Sequence, residues 1–157
     1  MERGFQSHFI HSRRGSGGFE EFRVFVPEEG GSLAALVTFG SKLEGHAGVV
    51  HGGATATACD ELFGWATQLC LPPAARGAAY FTANLSVDYR APVMVNTTVL
   101  VRVHVESVEG RKLRMKARVE RAHDGVLVAE ANALFIRAKW YYQLLTYLPA
   151  SLQPDGG

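Results

Sequence analysis

The sequence predicts a single α+β domain in which an antiparallel sheet is wrapped around one long central helix. One segment, residues 52–70, has the apolar spacing of a helix. A short hairpin pattern precedes it, and long strands with alternating apolar and polar residues follow it. Helices and strands therefore do not alternate along the chain, which argues against a parallel sheet. The 157 residues, 47% of them hydrophobic, suffice for one domain with its own core.

The first part of the chain predicts a flexible segment and then a hairpin. Residues 1–18 are polar and rich in glycine, which predicts a flexible N-terminal segment before a domain at residues 19–138. Strand patterns at 22–26 and 33–39 flank the turn residues 27–31, so we expect a hairpin. Residues 40–48 are interpreted as a loop.

The predicted helix contains both cysteines of the chain. Its apolar residues recur at helical spacing, and Pro72 and Pro73 end it. Cys59 and Cys70 are eleven residues apart, or about 16 Å along a helix axis, too far for a disulfide. We therefore expect two small buried thiols in a reducing compartment.

Four long strands are predicted after the helix, at residues 80–90, 99–106, 112–120 and 126–137. In the first of these, regular alternation places Phe81, Ala83, Leu85, Val87 and Tyr89 on one face and Thr82, Asn84, Ser86, Asp88 and Arg90 on the other. One helix cannot cover a sheet of six strands, so the leftover sheet edge and apolar area predict a dimer or a larger assembly.

Composition and motifs exclude several classes of protein. The net charge of +1 gives no field that would attract nucleic acid or an anionic membrane. No apolar run approaches the roughly 18 residues of a membrane span, and the N-terminus lacks the apolar centre of a secretory signal, which predicts a cytoplasmic or organellar-matrix protein, mitochondria included. The six histidines show no metal-ligand spacing, and no Gly-X-Ser-X-Gly elbow occurs.

The segment that indicates chemistry is His51-Gly52-Gly53 at the helix start, with Asp60 nine residues after the histidine. The first N–H groups of a helix lack intrahelical partners, and the helix dipole favours negative charge there. Such a helix start can stabilise an oxyanion that forms from a carbonyl group. Asp60, among alanines and other small residues, is a candidate base or nucleophile.

This arrangement resembles the hotdog-fold acyl-CoA thioesterases, and most closely their phenylacetate-type (PaaI-like) and mitochondrial-type thioesterase superfamily members. The resemblance extends over residues 33–138. It rests on His51-Gly52-Gly53 with Asp60, on the segment from Phe81 to Pro92, on Val108 to Lys112 and on the closing strand from Ala129 to Arg137.

The resemblance implies a homodimer, or a tetramer built as a dimer of dimers, with each active site formed by two chains. It implies that the Gly52 N–H polarises the thioester carbonyl and that His51 shapes the adjacent loop. Asp60 and Thr82 would come from the facing protomer, with Asp60 as base or nucleophile. Further implied substrate or coenzyme A contacts are Gly53, Phe81, Ala83, Asn84, Arg111 and Lys112. The implied activity needs no cofactor, since coenzyme A is part of the substrate.

The chain departs from the family pattern at three places. Some relatives carry an Asn or Gln six residues before the histidine as a second oxyanion donor, and here that position is Gly45. The stretch between Asp60 and Thr82, with its segment 71–77, is longer than expected. Residues 139–157 form a C-terminal extension, whose aromatic part we interpret as a packing segment or as a lid over the acyl channel.

Several interpretations remain open at this point. A hotdog hydratase or dehydratase and a non-catalytic acyl-CoA sensor are alternatives to a thioesterase. Beyond Lys112, the basic residues Arg114, Lys116 and Arg118 form either a phosphate-binding patch or an ordinary solvated face. Three aromatic residues are candidates for the lining of an acyl pocket: Phe63, Trp65 and Phe81.

Overall fold

The computed structural model of the chain describes residues 17–139. The predicted flexible segment 1–18 and the C-terminal extension 139–157 lie almost entirely outside the described residues, and both stay predictions. The elements of residues 17–139 are β1 (Phe19–Phe25), β2 (Ser32–Phe39), β3 (Glu44–His46), β4 (Val49–Val50), α1 (Gly52–Leu69), β5 (Tyr80–Tyr89), β6 (Thr97–Glu109), β7 (Lys112–Arg121) and β8 (Leu127–Arg137).

Six strands form one antiparallel sheet in the order β1-β2-β6-β7-β8-β5. The helix α1 packs against one face of this sheet, which is called the inner face below. The predicted α+β arrangement of an antiparallel sheet around one long helix is therefore confirmed. The two edges of the sheet are β1 and β5.

The core lies between α1 and the inner face. Alternate residues of β6 and β7 are buried there, as their sequence pattern predicts. The helix contributes a buried stripe at helical spacing: Thr55, Ala58, Cys59, Leu62, Phe63, Ala66 and Thr67. The ring of Phe63 packs edge-on against Phe135 of β8, with 6.3 Å between the ring centroids. Both cysteines are free and buried, as expected.

The interpretation of residues 40–48 as a plain loop is wrong. A 3₁₀ turn at Ser41–Leu43 leads into β3, and β3 pairs with the two-residue strand β4 immediately before α1. Strands of two or three residues are too short for periodicity to reveal. This small hairpin fixes the entry to the helix, because the Val50 N–H donates to the Val93 carbonyl and the His51 N–H to the Leu43 carbonyl.

The predicted alternation of β5 is wrong at its start. The register of β5 against β8 shifts between Thr82 and Asn84, so Ala83 is an extra residue in a β-bulge. The bulge reverses the faces of the residues that precede it. Thr82 is paired with buried Phe135 and points to the inner face, whereas Phe81 lies on the outer face and is 56% exposed.

Candidate active site

The start of α1 presents one backbone N–H without a partner. His51 is the N-cap residue, and its Nδ1 accepts a hydrogen bond of 2.9 Å from the Gly53 N–H. Because Nδ1 is the acceptor, the proton of the neutral ring is on Nε2. Among residues 17–139, no acceptor is found for the Gly52 N–H. The positive end of the helix therefore offers this donor to a ligand.

Gly45 explains why the second oxyanion donor of some relatives is missing here. A Cβ atom at position 45 would lie 2.9 Å from Cα and 3.1 Å from Cβ of His51. Any side chain at this position would push the N-cap residue away from the helix start. The family's Asn or Gln is thus incompatible with the packing of His51 in this chain.

Tyr89, at the end of β5, also contacts the helix start. Its hydroxyl donates a hydrogen bond of 2.6 Å to the Gly52 carbonyl. A Cβ at position 52 would lie 3.2 Å from Cζ of Tyr89, so the two residues are in close contact. The sequence analysis placed Tyr89 only on an apolar face. No local sequence signal indicates its contact with Gly52, because the two residues are 37 positions apart.

Asp60 and Thr82 form the second half of the candidate site. The Thr82 hydroxyl donates a hydrogen bond of 2.8 Å to Oδ1 of Asp60, while no partner of Oδ2 is found in the described part of the chain. Asp60 is half-buried on α1, and none of the ion pairs found between residues 17 and 139 includes it. The bulge at Ala83 brings this hydroxyl to the inner face, where α1 lies.

The two halves do not meet within one chain. Gly52 and Asp60 are eight residues apart on the same helix, which separates them by about 12 Å along its axis. The two halves contact opposite ends of β5: Gly52 contacts Tyr89 at one end, and Asp60 contacts Thr82 at the other. One carbonyl group cannot reach both the Gly52 N–H and the Asp60 carboxylate of a single chain.

A cavity of about 330 Å³ lies beside the helix start. Gly52, Thr55 and Tyr89 line it together with apolar residues, namely Val49, Val50, Ala91, Pro92, Val93 and Val128. The predicted pocket residues Phe63, Trp65 and Phe81 do not line this cavity. Phe63 is fully buried, the half-buried Trp65 packs on Phe22, and Phe81 is on the outer face.

The remaining predicted contacts lie at the end of the sheet near Thr82, with the exception of Gly53. Gly53 is exposed at the helix start, Ala83 is the bulge residue, and Asn84 is on the outer face. Arg111 is in the turn between β6 and β7, where its Nε donates a hydrogen bond of 2.9 Å to the Arg137 carbonyl. Lys112 is exposed and begins β7.

The basic residues beyond Lys112 belong to a solvated, charge-balanced surface. On the outer face Lys116 pairs with Glu106 at 2.6 Å, and Arg118 pairs with Glu120 and Glu130 at 3.4 and 3.3 Å. Three of these residues, Lys116, Arg118 and Glu130, also line an open groove of about 760 Å³. The sheet separates this groove from α1. Lys116 and Arg118 therefore do not contribute to the candidate site.

Cys59 is adjacent to Asp60 but is not a second nucleophile. Its thiol is buried in the core, and this burial, together with the negative charge of Asp60, raises the pKa of Cys59 to about 12. The reactive thiolate is therefore almost absent near neutral pH. The carboxylate of Asp60 is the group that can act at this position.

The described residues contain neither a cluster of metal-binding side chains nor a transmembrane helix. Between residues 17 and 139 there is no group of three or more His, Cys, Asp or Glu side chains placed to hold a metal ion. Over the same range, α1 lacks the combination of length and hydropathy that a transmembrane helix requires.

The sequence is similar to a known protein family and to curated proteins. A profile of the Thioesterase superfamily matches residues 47–128, just over half of the chain. Over 118 residues the chain is 36% identical to Acyl-coenzyme A thioesterase THEM4 of Xenopus laevis, covering 74% of this chain and 50% of that protein. It is 29% identical to a Saccharomyces cerevisiae protein named "Uncharacterized mitochondrial membrane protein FMP10", covering 72% and 46%. The chain thus spans about half the length of these curated relatives.

The fold is similar to that of solved thioesterase structures. One is a hypothetical thioesterase from Streptococcus pneumoniae, determined with coenzyme A. The TM-score is 0.66 at 16% sequence identity, covering 77% of this chain and 91% of that chain. This similarity confirms the predicted hotdog fold.

Proposed function

Because the chain belongs to the Thioesterase superfamily, we propose that it hydrolyses an acyl-CoA thioester to a carboxylic acid and free coenzyme A. The observation that carries the proposal is the pair of unused groups at its site. One is the unpartnered Gly52 N–H at the positive end of α1, and the other is the Asp60 carboxylate held by Thr82. A thioester carbonyl needs a donor of the first kind and a base or nucleophile of the second.

The Gly52 N–H would stabilise the negative charge that develops on the thioester oxygen. An N–H at a helix start is fixed in direction before the reaction, so it needs no rearrangement when the oxyanion forms. A single donor of this type is worth about 2.7–4 kcal/mol in the transition state. With Gly45 in place of an Asn or Gln, Gly52 supplies the main stabilisation of this charge.

Asp60 would deliver the attacking oxygen. As a general base it takes a proton from a water molecule that attacks the carbonyl carbon, and the thiolate of coenzyme A leaves and is protonated. As a nucleophile it forms an acyl-aspartate, which water then hydrolyses to the same products. In both routes the Thr82 hydroxyl holds Oδ1 and leaves Oδ2 facing the reaction.

We propose that two chains join through β5 to build each site. The strand is an unpaired edge of the sheet, none of its ten residues is buried, and Phe81 and Tyr89 at its ends are more than half exposed. Such an edge favours pairing with a second strand. An antiparallel pairing centred near Leu85 brings Thr82 level with the partner subunit's Tyr89. Asp60 of one chain then faces Gly52 of the partner subunit, so that each site contains both a carboxylate and an N–H donor.

The cavity beside Gly52 is the proposed place for the acyl group. Its lining is mostly apolar, and the Gly52 N–H lies at its border. Arg111 and Lys112 are exposed cations near the Thr82 end of the sheet, where they are available for the phosphates of coenzyme A. The coenzyme A in the pneumococcal structure supports this class of ligand.

The location that we propose is the mitochondrion, which lies within the cytoplasmic or organellar range that the sequence predicts. The name of the yeast relative supports this choice. Fractionation of cells that produce the natural full-length protein tests it, and recovery only in the cytosolic fraction would overturn it.

The test of the function is release of free thiol from acetyl-, hexanoyl-, palmitoyl-, phenylacetyl- and 4-hydroxybenzoyl-CoA. We expect turnover of at least one of them, and Asp60→Asn should lower kcat by about 10²-fold or more, the scale of a positioned base. The matched control is Asp88→Asn, the same substitution on the outer face of β5, which should keep wild-type kcat. Circular dichroism and thermal unfolding establish that both variants fold.

Two outcomes would contradict the proposal. Saturable binding of an acyl-CoA without turnover would identify a sensor, and turnover of enoyl-CoA by addition of water would identify a hydratase. If thiol release persists in Asp60→Asn at the wild-type rate, the chain is a thioesterase but Asp60 has no part in its mechanism.

A further inference from the structure

The peptide group between Gly52 and Gly53 is held on both sides. Its carbonyl oxygen accepts a hydrogen bond of 2.6 Å from the Tyr89 hydroxyl, and its N–H donates one of 2.9 Å to Nδ1 of His51. The two partners come from opposite directions, since Tyr89 is on β5 and His51 precedes the helix. The Gly52 N–H belongs to the preceding peptide group, whose His51 carbonyl accepts a hydrogen bond of 2.9 Å from the Ala54 N–H. Gly52 thus joins two peptide groups that are each hydrogen-bonded, and this restrains its backbone.

We propose that Tyr89 is a positioning residue that restrains the Gly52 backbone and thereby the place of the Gly52 N–H. This inference rests on the proposed function, in which that N–H is the oxyanion donor. Glycine has the widest backbone freedom of all residues, so Gly52 is the flexible joint between the peptide group that carries the donor and the next one. The hydrogen bond from Tyr89 ties this flexible point to the sheet.

The hydrogen bond is not a by-product of burying a tyrosine. Tyr89 is 53% exposed, so water could satisfy its hydroxyl as well. The helix does not need the bond either, because helical carbonyls are already acceptors within the helix. Partial burial of the hydroxyl raises the pKa of Tyr89, and the nearby Cys59 raises it further. The phenol therefore remains a donor at neutral pH.

The close contact between the two residues also limits position 52 to a small residue. A Cβ atom there would approach Cζ and Oη of Tyr89 to 3.2 and 3.3 Å. Tyr89 thus fixes the position of Gly52 by contact and its orientation by a hydrogen bond. Through both, the end of β5 is coupled directly to the proposed oxyanion donor.

The test compares Tyr89→Phe with Tyr80→Phe in the full chain. Both tyrosines are on β5 and point to the inner face, but the Tyr80 hydroxyl donates to the Ala75 carbonyl at 3.4 Å, far from Gly52. We expect Tyr89→Phe to lower kcat by about tenfold, the scale of one hydrogen bond, with KM within about twofold of wild type. Tyr80→Phe should keep both constants.

A second measurement does not depend on activity. In ¹⁵N-labelled protein, the amide resonances of Gly52 and Gly53 should shift in Tyr89→Phe and stay in place in Tyr80→Phe. Unchanged kcat and unchanged amide resonances in a folded Tyr89→Phe protein would overturn the proposal, as would a rise in KM at constant kcat. If wild-type protein hydrolyses no acyl-CoA, the proposed function fails, while the resonances still decide whether Tyr89 fixes the Gly52 backbone.

Discussion

At the scale of single residues, Gly52 combines two properties that are rarely separable by mutation. It provides an unpartnered N–H, and it has no side chain where Tyr89 lies close. Its place at the first position of α1 makes the two separable, because proline is tolerated there and lacks the N–H. The preceding residue already has the extended backbone that proline requires, with φ −60° and ψ 132° at His51.

We therefore expect Gly52→Pro to fold and to lower kcat by about 10²–10³-fold, the usual cost of losing an oxyanion donor. Gly52→Ala is the matched control, since it adds the same Cβ beside Tyr89 but keeps the N–H. Its kcat should be at least about tenfold above that of Gly52→Pro. Steady-state thiol release measures both, and equal losses would show that crowding at Tyr89, not the N–H, is responsible.

The sequence was enough to single out Gly52 and Asp60 as candidates, because a glycine pair opens the helix and Asp60 follows a run of small residues. The sequence did not reveal that Tyr89 contacts Gly52. The bond from Tyr89 to Gly52 joins positions 37 residues apart, and it exists only because the end of β5 lies beside the start of α1. Contacts of this kind follow from tertiary structure and leave no local pattern.

At the scale of elements, the bulge in β5 decides which residue reaches Asp60. Strand periodicity correctly located β5 and the faces of its later residues, but a strand pattern cannot show one extra residue. Counting through Ala83 as if the strand were regular would place Thr82 on the outer face and Phe81 inside. The structure has the reverse, and the hydroxyl of Thr82 therefore lies 2.8 Å from the carboxylate.

This arrangement predicts different effects for two substitutions at Thr82. Thr82→Val keeps the shape but removes the hydroxyl, so we expect kcat to fall by about tenfold or more, the scale of a hydrogen bond to a charged group. Thr82→Ser retains the hydroxyl and should keep most of the activity. The kcat values of the two variants test this prediction. Equal kcat in Thr82→Val and Thr82→Ser would show that Asp60 does not need the hydrogen bond from residue 82.

At the scale of the whole molecule, the order of the strands leaves β5 at an edge with the two halves of the candidate site at its opposite ends. The sequence analysis expected an assembly because one helix cannot cover six strands. In the proposed two-chain site that expectation takes a specific form, since Gly52 and Asp60 are about 12 Å apart within a chain and the second chain would supply the missing group.

Mixing two inactive variants tests this arrangement. Asp60→Asn and Gly52→Pro each damage a different half, so a mixed dimer contains one intact site and one doubly damaged site. Random exchange makes about half of the dimers mixed, which should restore about a quarter of wild-type activity. Native mass spectrometry establishes that exchange has taken place. No recovery in a sample with proven mixed dimers would contradict a site built from two chains.

The separation of the two halves along β5 has a consequence for a cell that carries two alleles of the gene. In the proposed dimer each chain would enter two sites, giving Asp60 to one and Gly52 to the other. A product damaged in one half therefore removes only the sites that receive that half, and equal expression with the normal product leaves about half of them intact. A product damaged in both halves removes every site it enters and leaves about a quarter. The severity of a heterozygous defect thus depends on whether the substitutions in one chain affect one half of the site or both halves.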